Sequence, residues 1–460
     1  MKRRHFIKTG LLAGAATASM ALACNRRPDA EIIILGGGLS GLYATYLLEQ
    51  AGKDCLLLEG SPRWGGRLFT KKDWTGTPDV GGRGIGDKYT LVKGLIDELG
   101  VEVIDITAGF GAPTALYYQD QLIHTEDWPR LEANPLPEAL RSLTPVRLES
   151  TAMRQTPALE AIDEWYHKPE LDKPLALLLQ QGGLNKEALD LVNISANYND
   201  IYQTSALNSM HSTAFRKFNG SRRVFNIKNG SSALTDALAS KLTSPKYLQK
   251  KATQIIEEAG AVTVNCADGS TYRAKQLICT LPFSTLRDLD LQLPLNPNQE
   301  KAIKQLGYTK ITQIHFRPTA PFWEADEMPI QMWTDSPLER VFDFSKTNDG
   351  SHMAAWVNGK GVARFDQMSD KEIAEFTFQE MARMRPASQG KLEYVGTHKW
   401  GQYEFNKGAY AEFQAGQVAW FPDMIRPAGN VHFAGEHTAQ QSRGIEGAAE
   451  SAARAVKEII

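Results

Sequence analysis

The chain has 460 residues, with 51 Lys+Arg against 53 Asp+Glu and a formal net charge of −2. That near balance leaves no broad basic surface and argues against nucleic acid as a partner; four cysteines at this length cannot form a disulfide scaffold. A 42% hydrophobic content supplies a sizeable core, and the length suggests about three domains, or two lobes sharing large sheets.

Residues 1–24 read as an address and not as structure. Lys2, Arg3 and Arg4 precede a weakly apolar stretch from Leu11 to Ala23 that Thr17 and Ser19 interrupt. The stretch is too short and too polar to span a bilayer, and its layout is that of a signal segment. Arg3-Arg4-His5-Phe6-Ile7-Lys8 resembles the twin-arginine motif of bacterial export, which carries proteins already folded. It directs the mature chain to the periplasm or cell envelope. Ala21-Leu22-Ala23-Cys24 fits ordinary cleavage and a lipid anchor at Cys24 equally well. Cys55, Cys266 and Cys279 lie in apolar contexts and read as small buried hydrophobes in strands.

The mature part opens with Glu31-Ile32-Ile33-Ile34-Leu35, a β-branched run expected of a strand buried on both faces. Gly36-Gly37-Gly38-Leu39-Ser40-Gly41 follows, then a predicted helix from Leu42 to about Gln50, then a strand over Cys55-Leu56-Leu57-Leu58 ending at Glu59. Gly36 permits the tight turn, Gly38 lets backbone approach a pyrophosphate, and Gly41 allows close helix–strand packing. The helix N-terminus, with Leu39 and Ser40, offers free N–H groups to phosphate. Glu59 is placed to accept hydrogen bonds from ribose hydroxyls.

Further along, Asp105–Tyr198 is punctuated by prolines and helix-like patterns, consistent with short helices and loops over a pocket. Gln249 to Pro282 predicts hairpin strands around Asp268-Gly269, and a strand over Lys310–Phe316 has Lys310 at its solvent end. Near the C-terminus a short strand ends in Gly435-Glu436, and Gly444-Ile445 opens an Ala-rich helix whose N-terminus suits an anionic ring. No metal-ligand cluster, nucleophile elbow or Cys–His pair is present in the sequence pattern.

Glu59-Gly60-Ser61-Pro62-Arg63-Trp64-Gly65-Gly66-Arg67 resembles the continuation that distinguishes FAD-dependent oxidases from NAD enzymes, with Gly66 and Arg67 meeting the pyrophosphate. Together with Asp79-Val80-Gly81-Gly82, Asn229-Gly230-Ser231, Leu281-Pro282, Lys310, Trp400, Gly408-Ala409-Tyr410 and Phe433 to Gly447, it makes the chain similar to the flavin amine oxidase family. That family includes monoamine, polyamine and L-amino-acid oxidases. The resemblance implies an α/β fold, with a Rossmann-like FAD-binding domain assembled from residues 30–85, 222–285 and 392–460. A mixed-sheet and helical substrate-binding domain would take residues 86–221 and 286–391.

It further implies that Gly82, Arg83 and Ala252 lie at the cofactor beside Gly435, Glu436, Gly444 and Ile445. Trp400 would pack beside the flavin, and Tyr410 would wall an aromatic substrate cage. Lys310 would become the lysine that holds a water near flavin N5 and assists O₂ reduction. Ala409 replaces the cysteine of covalently flavinylated members, which implies non-covalent FAD. Gly444 replaces the second cage aromatic, which opens the pocket. Arg83 is the specificity candidate, one residue before the position where several L-amino-acid oxidases carry a carboxylate-binding arginine; Arg216, Arg222 and Arg223 are others.

The implied reaction is oxidation of L-amino acids. Hydride passes from the amine-bearing carbon to flavin N5, the imine hydrolyses to keto acid and ammonia, and O₂ becomes H₂O₂. The alternative is the same chemistry on primary amines or polyamines without a carboxylate. The family also allows a homodimer.

Overall fold

The computed structural model describes residues 28–109, 111–344 and 352–460. The expected signal segment, with Arg3, Arg4 and Cys24, lies outside the described residues. Ile32-Ile33-Ile34-Leu35 forms a strand (β1, Ile32–Leu35) with all four side chains buried. Ile33 and Leu35 enter one core cluster and Ile32 and Ile34 another. A strand covered on both faces has no solvent side to mark with polar residues, hence the continuous apolar run.

Four strands join it: β2 (Cys55–Leu58), β3 (Lys246–Tyr247), β4 (Gln276–Cys279) and β5 (Val431–Phe433). Their order in space is β5-β4-β1-β2-β3, and every pairing is parallel. This is the expected Rossmann-like sheet, drawn from separated stretches of chain. Cys55 and Cys279 are buried within it, and Cys266 is buried in a neighbouring hairpin strand.

Helix α1 (Leu39–Gln50) follows β1 and packs against helix α2 (Gly444–Lys457), which follows β5. The helix α1 starts at Leu39, ahead of the predicted Leu42, because the glycine-loop residues Leu39-Ser40-Gly41 form its first turn. Parallel strands point their carboxyl ends one way. Gly36, Glu59, Thr280 and Ala434-Gly435, each just past a strand, therefore gather on one edge, the place for a ligand in such sheets.

Facing that edge is a seven-stranded mixed sheet in the order 392–399, 311–318, 353–358, 340–343, 331–334, 114–118, 121–123. Strand 331–334 pairs parallel with 114–118, across more than two hundred residues of sequence. Side-chain alternation gives this sheet two jobs. Ile314, Phe316, Met332, Val341 and Ala355 pack on helix Asp370–Met384. Ile311, Gln313, Arg340, Phe342 and Trp356 face a cavity. Between residues 105 and 198 lie the expected short helices, among them Pro145–Ala152, Leu175–Gln181 and Lys186–Ser195. No helix among the described residues is long and apolar enough to cross a membrane.

Candidate active site

The two sheets enclose a cavity of about 1380 Å³. Its first arm runs along the carboxyl edge of the parallel sheet, where the glycine loop makes room. A Cβ on Gly41 would lie 1.8 Å from the Gly36 carbonyl oxygen, so helix and turn approach as only glycine permits. A Cβ on Gly38 would meet nothing closer than Gly66 Cα at 3.8 Å, so the space above Gly38 opens into the cavity.

Ser40 is 5% exposed, lines the cavity, and its Oγ has no hydrogen-bond partner. An orphaned hydroxyl at a helix N-terminus, over an open glycine, suits a phosphate oxygen. Glu59 closes the arm. Its carboxylate accepts the N–H groups of Gly37 at 2.5 Å and Ser61 at 2.7 Å, which fixes it toward the cavity with lone pairs to spare. These residues fit a dinucleotide.

The Gly65-Gly66 turn is held by a residue given no role from sequence. Arg63 donates to the carbonyls of Trp64, Leu68 and Gly66, and its guanidinium lies 3.4 Å from the Phe69 ring centroid. Burial pulls its pKa below the usual arginine range. Arg67 crosses the arm to Glu436 Oε2 at 2.9 Å and to the Ala409 carbonyl at 3.1 Å. It thereby joins the first glycine-rich loop to the C-terminal one.

The second arm lies against the mixed sheet. Trp400 is 2% exposed and its indole donates to the Val80 carbonyl at 2.8 Å. Gln313 Nε2 donates to the same carbonyl at 2.9 Å. Val80 opens the loop Gly81-Gly82-Arg83, so strand 311–318 and Trp400 together set the loop's position. Behind Gln313, His315 Nε2 meets Gln313 Oε1 at 2.9 Å, and His315 Nδ1 meets His352 Nε2 at 2.6 Å.

Also on the wall, the Tyr410 hydroxyl donates to the Asn197 carbonyl at 2.8 Å, and burial raises its pKa. Gly444 has φ +54°, and nothing lies within 4 Å of where its Cβ would be. The space beside Gly444 is open.

Arg83 is half-buried and lines this arm. Its guanidinium carbon is 3.3 Å from the Phe344 ring centroid. Burial pulls its pKa down to about 10, the nearby Asp79 opposing the shift. Asp79 itself is occupied by Thr70 Oγ1, Ser231 N–H and Ser231 Oγ. Asn226 also lines the arm, with Oδ1 on the Gly84 N–H and Nδ2 without a partner.

The cavity wall thus brings together Gly36, Gly38, Leu39, Ser40, Glu59, Gly60, Ser61, Gly66, Arg67, Gly82, Arg83, Ala252, Trp400, Tyr410, Gly435, Glu436, Gly444 and Ile445. Gly41 stands behind it as packing. Lys310 is not on it. Ile311 and Gln313 face inward, so strand alternation turns Lys310 outward, exposed, with its stem beside Gly401. Spacing alone had placed it there, at the solvent end of its strand. Arg216, Arg222 and Arg223 also lie off the wall. Arg216 bonds Ser212 and Thr213, the Arg222 backbone N–H goes to Asp87, and Arg223 pairs with Asp105.

The residues that sequence reading missed are Asn197, Asn226, Gln313, Arg340, Phe342, Phe344 and Trp356. Arg340, Phe342 and Phe344 occupy alternate positions of one strand and its continuation. That period is the signal that could have found them.

Residues 39–460 match the family described as flavin containing amine oxidoreductase. The putative L-amino-acid oxidase YobN of Bacillus subtilis (strain 168) is 24% identical, over 95% of this chain and 96% of that one. The flavin-dependent L-tryptophan oxidase RebO of Lentzea aerocolonigenes is 25% identical, over 94% of this chain and 98% of that one. Among solved structures, wild-type putrescine oxidase bound to putrescine superposes with a TM-score of 0.75 at 19% identity, covering 94% of this chain and 98% of that chain. The chain belongs to the flavin containing amine oxidoreductase family, and FAD is its cofactor.

Proposed function

We propose that this flavoprotein oxidises L-amino acids to keto acids, with ammonia and H₂O₂ as co-products. Arg83 carries the reading. Among the described residues its guanidinium has no ion-pair partner, although it lines the cavity beside the Val80–Gly82 loop. A partly desolvated guanidinium gains most from a planar two-oxygen anion, and the α-carboxylate of an amino acid is one. The names of YobN and RebO point the same way. Putrescine oxidase keeps the alternative, an amine or polyamine without a carboxylate.

Bound FAD supplies the hydride acceptor and passes the electrons to O₂. The chain's own residues do the rest. Glu59, Ser40 and the N-terminus of α1 hold the nucleotide end, while Arg67 and Glu436 tie the two loops around it. Trp400 and Tyr410 confine the substrate between aromatic surfaces, and the open side at Gly444 admits a sizeable side chain. Arg83 orients the α-carbon by its carboxylate.

FAD binding is non-covalent in this reading. Ala409 offers no nucleophile, and burial pushes the Cys55 thiol up to about 11 and the Cys279 thiol up to about 12. The protein is exported folded through the Arg3-Arg4 motif.

The test compares L-amino acids with their decarboxylated amines in a peroxide assay. Amino acids should be turned over well and the amines poorly. Arg83→Ala should lower kcat/KM for the acids by at least about 30-fold, the order expected when a charged group loses its buried partner, and change the amines little. Equal turnover of an acid and its amine would favour the amine alternative. Loss of FAD from Arg83→Ala would make it a cofactor residue.

A further inference from the structure

Arg340 is the second cation on the wall of the substrate arm, and it is 6% exposed. Its Nη1 donates to the Ser195 carbonyl at 2.8 Å and to Asn197 Oδ1 at 3.0 Å. Nε and Nη2 are shut off from solvent and have no acceptor. The neighbouring Glu339 attracts Arg340 electrostatically but makes its hydrogen bond elsewhere, accepting the Asn358 N–H at 2.8 Å, and leaves Nε and Nη2 unbonded. A buried guanidinium with donors unmet is costly unless an anion completes it.

The surroundings say where that anion sits. The Phe342 ring centroid is 5.7 Å from the Arg340 guanidinium carbon, and Phe344 stacks on Phe342 at 5.9 Å and 16°. Arg83 lies over the Phe344 ring, its guanidinium carbon 3.3 Å from the ring centroid. The wall therefore carries two cations, each beside one of two stacked rings. Each guanidinium stands beside its own ring, so the two offer separate positions for carboxylates. Arg147 adds a positive group to the cavity, and Glu126 and Asp343 add negative ones. Arg340 differs from all of these in combining burial with unmet donors.

We infer that Arg340 is a second anion-binding position, and that the preferred substrate is an α-amino acid whose side chain carries its own carboxylate. This rests on the amino-acid reading above. Arg83 takes the α-carboxylate and Arg340 the side-chain acid, which lies over Phe342. Asn197 links this position to Tyr410, since its carbonyl accepts the tyrosine hydroxyl and its Oδ1 accepts from Arg340.

The purified holoprotein is assayed by O₂ uptake with L-glutamate, L-glutamine and 4-aminobutanoate. L-Glutamate should exceed L-glutamine in kcat/KM by at least about tenfold, and Arg340→Met should erase that ratio. If the variant fails to retain flavin, inhibition of the wild type decides instead. Glutarate should inhibit at least about tenfold more tightly than butanoate. Equal turnover of glutamate and glutamine, an unchanged ratio in Arg340→Met, or equal inhibition by the two acids overturns the inference while leaving the amino-acid reading intact. Equal turnover of L-glutamate and 4-aminobutanoate would overturn the amino-acid reading, and this inference with it.

Discussion

Hydrogen-bond directions along the chain His352–His315–Gln313–Val80 follow from one assignment. Gln313 Nε2 donates to the Val80 carbonyl, so Oε1 accepts from His315 Nε2–H, His315 Nδ1 is an acceptor, and His352 Nε2 carries the proton it donates. Protonating either ring adds a charge the site cannot solvate. Burial, reinforced by Arg83, pulls the His352 pKa down to about 4. Because the folded pKa lies below the ordinary value, the unfolded chain takes the proton first as pH falls. The contribution of neutral His352 is complete above about pH 6.5 and is lost progressively toward about pH 4. At pH 5 the loss is about 2 kcal/mol. His352→Gln does not titrate, so the stability gap between wild type and variant should shift by about that amount between pH 7.5 and pH 5, read by denaturant unfolding. A gap independent of pH would show that His352 titrates normally. Lys310 makes the opposite case, an exposed residue off the cavity wall. Lys310→Met should leave flavin reoxidation by O₂ within about twofold of wild type in stopped flow. A tenfold slowing would bring its ammonium back to the flavin.

At the scale of elements, the glycine turn with α1 is the least forgiving piece. Adding a methyl at Gly41 places it 1.8 Å from the Gly36 carbonyl oxygen, backbone against backbone, with no flexible side chain to yield. Gly41→Ala should give flavin-free or insoluble protein. Gly94, inside the helix Thr90–Leu99 with nothing within 4 Å of its Cβ, is the control. Gly94→Ala should hold flavin and gain about 0.5–1 kcal/mol. A flavin-replete Gly41→Ala protein would refute the packing argument. The same locality explains what could be read in advance. Strand, glycines, helix and Glu59 fall within some thirty residues, so their chemistry is written in consecutive sequence. The substrate wall is written across the chain. Strand 331–334 finds 114–118 only in the folded molecule, and Arg340 is informative only once its unmet donors and its stack partners are known. The Lys310 expectation comes from resemblance, whereas its exposed position follows from strand phase, a purely local property.

For the whole molecule, the proposed export and the proposed non-covalent cofactor belong to one reading. The five-stranded sheet takes strands from residues as far apart as Ile32 and Phe433, so the FAD site exists only after the chain has closed on itself. A cofactor held without a covalent bond must be loaded where FAD is available, and the twin-arginine route moves a chain only after folding. Acid precipitation should accordingly release intact FAD into the supernatant, and flavin remaining in the pellet would refute non-covalent binding. The export reading rests on Arg3 and Arg4 ahead of the weak apolar stretch Leu11 to Ala23. Lysine keeps the charge but not the guanidinium geometry, so Arg3→Lys with Arg4→Lys separates motif recognition from simple positive charge. The double variant should remain yellow and active, because no described residue changes, and its activity should move from the periplasm or envelope to the cytoplasm. Gly41→Ala, with both arginines intact, should also fail to leave, since an unfolded nucleotide site presents no finished cargo. If the double-lysine variant reaches the envelope at wild-type levels, the twin-arginine route is ruled out, and the N-terminal segment is read by another export system.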